Sequence, residues 1–546
     1  METMESNHKL IKTSGNLGAR CSDEQIQLGN GEKTALIFIS SAFQVSRYTF
    51  FDLKRESNRY ANAFQKIGLK AGEKALILIP NSPDLYFLFL GLLKLQVNCG
   101  IVFSNAGAAT IRNRLVETGT KTLITTVSAA RKYASLFTDP DHPVRAIVID
   151  GDEMTDHTRG IRFLLSEASV ELNVPPTHEE TPSLFHFTSG STGKPKAVQH
   201  VHGSAQNQRN SFREVIQPAT DDVYWCTADP GWITGTTYGI LAPWLNGVTQ
   251  IQFAGGYSAK NWMKILEEQK VTLWYSAPTA FRMLMQNTEA FFRQFDLSAL
   301  KRIYSIGEPL NPVIIEWGSG VLRKQIYDTW FQTETGSMMI ANKPGVPVRP
   351  GSMGKPLTEI QAEILTSEGV PAKPMEKGFL CIRTPWASMF TAYIRHEALY
   401  QEKFKNGYYY SGDQAFKDED GYFWFIGRND DVINTAGHLV SPFEVESALL
   451  EMDEIADVGV TALPDPILFE KVVAFVKCLP GLVLDKKLEL RIKLHVTNRV
   501  SSIACPRDLI AVDRIPKTRS GKIMRRVLRC SVSGEPLGDI STMEEE

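Results

Sequence analysis

Residues 188–196 read TSGSTGKPK, a run whose residue types suit a polyphosphate. Gly190 and Gly193 allow tight turns, so that successive backbone N–H groups can face one concavity. The hydroxyls of Thr188, Ser189, Ser191 and Thr192 and the ammonium of Lys194 add further donors. This is not a Walker A loop, because GxxxxGK[ST] would need glycine at Thr188 and a hydroxyl residue at Pro195. The phosphate chemistry is therefore of another kind.

Composition bounds what surrounds the loop. At 546 residues the chain is too long for one core, which predicts three or four domains or subdomains. With 59 basic and 61 acidic residues, no overall field favours nucleic acid or an anionic membrane, and neither is expected as a partner. Seven cysteines are scattered without CxxC spacing, which predicts free thiols, a reducing compartment and a cytoplasmic location. The first twenty residues carry no apolar signal core and are too acidic for a transit peptide. The most apolar run, Leu85 to Leu93, is far shorter than the ~20 residues of a membrane span and reads as a buried helix.

The loop must sit among alternating strands and helices. Strands are predicted at Ala75–Ile79, Thr122–Thr125, Ala146–Ile149, Val271–Tyr275 and Arg302–Ile306, with helices at Pro83–Leu95 and after Pro278. From about Phe379 the pattern shortens into hairpins. The expected fold class is α/β: a large N-terminal domain (1–429) of layered α/β subdomains plus a small β-rich subdomain, then a small mobile α+β C-terminal domain (430–546).

After the loop come QHVHGS, DVYWCTADPGWITG, GEPLNP, DTWFQTETG, YSGD, GRNDDVINTAG and PKTRSGKIMRR, in that order. This set resembles the adenylate-forming superfamily of acyl-CoA synthetases, adenylation domains and luciferases, over roughly residues 45 to 541. WCTADPGWITG, YSAPTAFRML and GEPLNP are most similar to its short-chain, acetyl-CoA synthetase-like branch. The chemistry agrees. A carboxylate with a pKa of about 4 to 5 is already ionised and needs charge compensation and in-line positioning, not a general base.

The resemblance implies ATP, Mg²⁺ and CoA as reactants, and a role for each motif. Thr188 to Lys194 would hold ATP phosphates, and Thr333 with Glu334 the Mg²⁺. Asp413 and Arg428 would bind the ribose. Gly307, Glu308, Pro309, Asp328, Thr329 and Trp330 would wall the adenine. Lys522 would be the catalytic lysine of the adenylation step, and Asp430 the hinge about which the C-terminal domain swings to bring Gly437 towards CoA. Arg131 aligns with a CoA-phosphate contact. Ile233, Thr234, Ile306 and Phe331 take the acyl-pocket positions, with Phe where acetate enzymes usually have Trp. Three departures stand out: Leu439 for a common Arg, Ala197 for Gly and Ala106 for an aromatic.

The resemblance thus implies an AMP-forming acid–thiol ligase acting on a short-chain carboxylate. Loading of a carrier-protein thiol and a non-catalytic nucleotide-binding paralogue are the alternatives. The basic cluster Lys517, Arg519, Lys522, Arg525, Arg526 and Arg529 would otherwise read as a solvated face or a nucleic-acid patch, against which the near-neutral chain and the upstream nucleotide motifs speak. Acetylation of Lys522 by a protein lysine acetyltransferase, reversed by a deacetylase, would erase the charge the first step needs.

Overall fold

In the computed structural model the described residues are 15–139, 141–189, 195–436, 438–518, 521–534, 537 and 543. Two large, mostly parallel sheets dominate the first 360 residues. The first has eight strands in the order Ala392–Tyr393, Pro195–Val201, Pro182–Ser189, Asn98–Ile101, Lys74–Leu78, Thr122–Thr125, Arg145–Val148 and Thr158–Gly160. The second has nine, with Ile326–Trp330, Arg302–Ser305, Leu273–Ser276, Val223–Cys226, Thr249–Phe253 and Thr34–Ile39 as its parallel centre and antiparallel strands at both edges.

These central strands are short apolar runs because both faces are covered by helices. Pro83–Lys94 is one such helix, opened by Pro83 and buried from Leu85 to Lys94. It packs closely on the helix Phe50–Lys66, whose start is fixed by a reciprocal Thr49–Asp52 capping box. Gly91 permits the approach, since a Cβ there would lie 2.7 Å from the Ser57 carbonyl oxygen. Lys94, fully buried at the end of this helix, is held by Asp23 at 2.6 Å and Asn58 at 2.7 Å.

The β-rich unit is a five-stranded antiparallel sheet built from Ala362–Leu365, Gly378–Arg383, Phe404–Lys405, Tyr408–Lys417 and Phe423–Arg428. It begins earlier than the expected Phe379, because Ala362–Leu365 pairs as an edge strand with Gly378–Arg383. Four residues between turns carry too little alternation to be read as a strand alone. The final unit is α+β as expected, with helices at Pro442–Leu450 and Lys486–Arg499 and the long hairpin Ile455–Asp465/Phe469–Cys478. Asp508–Ala511 joins it in parallel.

All seven cysteines are free thiols. Among the described residues no helix is long and apolar enough to cross a membrane.

Candidate active site

Parallel sheets expose their ligand sites at the carboxyl ends of their strands, and the second sheet follows that rule. Arg302–Ser305 ends in Ile306, Gly307, Glu308 and Pro309, with Gly307 at φ +95°. Its neighbour Ile326–Trp330 carries Asp328, Thr329 and Trp330, with Ser305 opposite Asp328. All of these line a cavity of about 200 Å³, together with Phe331, Gln332, Asp413, Arg428 and Lys522. The motifs from three parts of the chain thus share one chamber.

Asp413 and Arg428 face each other across two antiparallel strands. Trp330 Nε1 and Gln332 Nε2 donate to Asp413 Oδ2 at 3.1 and 3.0 Å. Arg428 Nε stands 3.2 Å from Oδ1, yet Oδ1 has no hydrogen bond of good geometry. A buried carboxylate oxygen without a donor is suited to a ligand hydroxyl. Burial pushes the Asp413 carboxyl up, opposed by Arg428 and Lys522.

Asp328 is 6% exposed and its Oδ1 has no partner among the described residues. Burial holds its carboxyl well above the usual range. A neutral carboxyl can donate as well as accept, which suits a heterocycle edge. Thr329 is locked beneath it by Ser305 O at 2.8 Å and Tyr275 Oη at 2.7 Å.

Lys522 enters the chamber from the C-terminal unit. Its residue stays exposed because it projects into the open cavity instead of packing on a wall. The surrounding protein and then Arg428 lower its pKa, while Asp431 and Asp413 oppose them. The preceding Gly521 makes the entry possible. At φ +88° it sits where a Cβ would lie 2.2 Å from Glu308 Oε1, and its carbonyl accepts from Thr279 Oγ1 at 3.3 Å. A second contact, Asn311 Nδ2 to Ser447 Oγ at 2.8 Å, completes this polar junction.

Glu334 and Thr333 follow Gln332 of the wall. Tyr393 donates to Glu334 Oε1 at 2.8 Å, and His200 Nε2 meets the Thr333 carbonyl oxygen at 2.8 Å. A carbonyl only accepts, so Nε2 carries the proton; burial holds this imidazole neutral, at about 4. One carboxylate and one hydroxyl form a hard oxygen set that fits Mg²⁺ when phosphates and water complete its shell. No group of three or more His, Cys, Asp or Glu forms a metal site among the described residues.

Other expected residues fall elsewhere. Gly190 to Lys194 and Gly437 lie outside the described residues; Thr188 pairs with Lys196, and Ser189 ends its strand. Ile306 and Phe331 line the cavity, whereas Ile233 and Thr234 open a helical turn, Ile233–Thr236, outside its lining. That turn leads into a wide π-turn, which sets Tyr238 edge-on against Phe331 at 5.2 Å. Arg131 is not brought to the cavity: it sits on an exposed short helix, 3.8 Å from Glu153. Asp430 is exposed in the turn before Ile433–Thr435.

The sequence reading missed Arg282, and it placed Arg525 only in a basic cluster. Arg282 closes on Glu308, and Arg525 on Glu446 and the Val460 carbonyl. The i, i+3 spacing of Thr279 and Arg282 was the available signal for the first.

Comparison with known proteins agrees with this geometry. The AMP-binding enzyme family matches residues 23–394, and its C-terminal domain matches residues 444–522. This chain belongs to the AMP-binding enzyme family. An acetyl-coenzyme A synthetase of Bacillus subtilis is 40% identical to this AMP-binding enzyme over 513 residues, covering 93% of this chain and 89% of the relative. A solved acyl-CoA synthetase of Brucella canis is 32% identical, with a TM-score of 0.74 over 95% of this chain and 94% of its own. An anthranilate CoA ligase solved with anthranoyl-AMP is 25% identical, with a TM-score of 0.86 over 94% and 97% of the two chains. The AMP-binding enzyme therefore shares fold and domain order with ligases that activate acids.

Proposed function

We propose that this enzyme converts a short-chain carboxylate, acetate foremost, into its CoA thioester through an acyl-adenylate, at the expense of ATP. The observation that carries the reading is the single chamber holding Asp413, Arg428, Lys522 and the segments 306–309 and 328–332. Acetyl-coenzyme A synthetases that are 33 to 40% identical over 92 to 97% of this chain support the acid and the thiol.

In the first half-reaction a carboxylate oxygen bonds to the α-phosphorus, and the bond to the β-phosphate oxygen breaks to release pyrophosphate. The unpartnered Oδ1 of Asp413 would accept a ribose hydroxyl, with Arg428 holding the carboxylate in place. The ammonium of Lys522 would stabilise negative charge between the carboxylate oxygen and the α-phosphate. Thr333 and Glu334 would hold Mg²⁺, which when bound neutralises phosphate charge. In the second half-reaction the CoA sulfur bonds to the acyl carbon and AMP leaves. We assign Asp430, in its exposed turn, to the pivot that withdraws Lys522 between the two steps, dividing a mobile domain from residue 430 onward from the larger one.

The reading is tested by pyrophosphate release with C2 to C6 acids, with and without CoA. Acid-dependent release and thioester formation are expected, strongest at the short end. Release without acid would sink the ligase reading; adenylate that never passes to CoA would favour a carrier thiol. Free thiols throughout suit a cytoplasmic setting. Acetylation of Lys522 is expected to block the first step alone, and mass spectrometry of the native protein checks for it.

Phe331 is expected to set acid length. Replacing Phe331 by Ala opens the wall beside Tyr238, and the kcat/KM ratio of butyrate to acetate should rise about 10-fold or more. An unchanged ratio would remove Phe331 from the acyl pocket.

A further inference from the structure

Lys403 belongs to none of the motifs read from the sequence, yet its ammonium lies within electrostatic reach of Arg428 and Asp413, which line the chamber. It follows the helix Glu397–Gln401, and its carbonyl accepts from Tyr410 N at 2.8 Å on the strand that carries Asp413. The meeting point is Gly412, at φ +79°. A Cβ on Gly412 would lie 3.4 Å from Arg428 Nη2 and 3.9 Å from Lys403 Nζ, so two cations converge over one bare glycine.

The half-buried ammonium makes no hydrogen bond or ion pair among the described residues. Its electrostatic neighbours are Glu334, Arg428, Lys196 and Asp413. Arg428 already serves Asp413, and Glu334 is tied to Tyr393. Burial and two neighbouring cations lower the pKa of Lys403, with Glu334 and Asp413 opposing. A desolvated, unpaired cation beside other cations is costly unless an anion completes the site. Lys196 is the second residue of the strand Pro195–Val201, and Glu334 is the carboxylate assigned above to Mg²⁺.

We propose that Lys403 is an additional substrate-binding residue, whose ammonium holds a non-bridging oxygen of the β- or γ-phosphate of ATP and then of the departing pyrophosphate. This rests on the ligase reading. Within that reading it gives Lys522 the α-phosphate side of the bond that breaks and Lys403 the leaving-group side.

The test is calorimetric titration of the full-length protein with MgATP, magnesium pyrophosphate and AMP, for wild type, Lys403→Met, Lys403→Gln and Lys403→Arg. AMP lacks the two outer phosphates and serves as the internal control. Both neutral variants are expected to weaken MgATP and pyrophosphate about 10-fold, to leave AMP within two-fold, and to raise the KM for MgATP without changing that for the acid. Lys403→Arg should recover most of the loss. Unchanged MgATP and pyrophosphate affinity would overturn the assignment, as would equal weakening of AMP. Having two neutral variants keeps the test intact if one does not fold. A wild-type protein that binds MgATP but releases no pyrophosphate with any acid would instead count against the ligase reading.

Discussion

Replacing Lys522 by Ala should lower acid-dependent pyrophosphate release by about 10²- to 10³-fold, while thioester formation from supplied acyl-AMP and CoA stays within about 3-fold of wild type. The split follows from where the lysine sits. It enters the chamber from the C-terminal unit, next to Arg428, Asp431 and Asp413, with only a few polar contacts fixing that unit's approach. If that unit swings as proposed, the charge it delivers serves one step and is absent from the next. Lys522→Arg should restore little, because a guanidinium is larger and presents its charge as a planar fork. Rapid-quench measurement of each half-reaction decides the matter, and equal loss of both would refute the alternation.

Folding stability should fall as pH drops from about 6 to 5, by about 2 to 3 kcal/mol per pH unit. Three buried histidines cause it. Burial lowers His186 to about 3, and His200 and His202 to about 4. Unfolded imidazoles take up protons in this window and folded ones do not, so the unfolded state binds more and gains as pH falls. Each imidazole contributes about 1.4 kcal/mol per pH unit. Asp328 acts in the opposite sense, because burial raises its carboxyl and lets it keep a proton that the unfolded chain has lost. Asp413 subtracts less, since Arg428 and Lys522 oppose its rise. Denaturant melts at constant ionic strength measure the slope. His186→Leu removes an imidazole whose ring nitrogens both lack partners among the described residues, and should flatten the slope by about 1.4 kcal/mol per pH unit. A slope unaffected by that change would show that another group carries the acid response.

The sequence was most legible where chemistry forces residue type at close spacing. Glycine at 307 is required by a left-handed turn, and the DTWFQTETG segment follows directly from a buried strand. Thr122–Thr125 reads as a strand because four consecutive residues are buried on both faces. Arg525 and Lys403 were not legible in their roles, because their surroundings are assembled only through folding, whereas Arg282 left a local signal in its spacing from Thr279. Glu446 comes to Arg525 from 79 positions away, and such pairs leave no local pattern. The acyl wall was half legible: Phe331 stands in the cavity, but Ile233 and Thr234 do not reach its lining.

The second sheet also has a consequence for biosynthesis. Its strand Thr34–Ile39 is made early, yet it lies in parallel beside Thr249–Phe253, with Thr249 Oγ1 donating to the Thr34 carbonyl from 215 positions along the chain. On a ribosome adding roughly 5 to 20 residues per second, that strand waits about 10 to 40 seconds for its neighbour. Through that interval Ala35 to Ile39 present an apolar edge with open hydrogen-bonding groups. A nascent chain arrested near residue 220 should therefore bind a holdase chaperone through this segment, and one arrested past residue 300 should not.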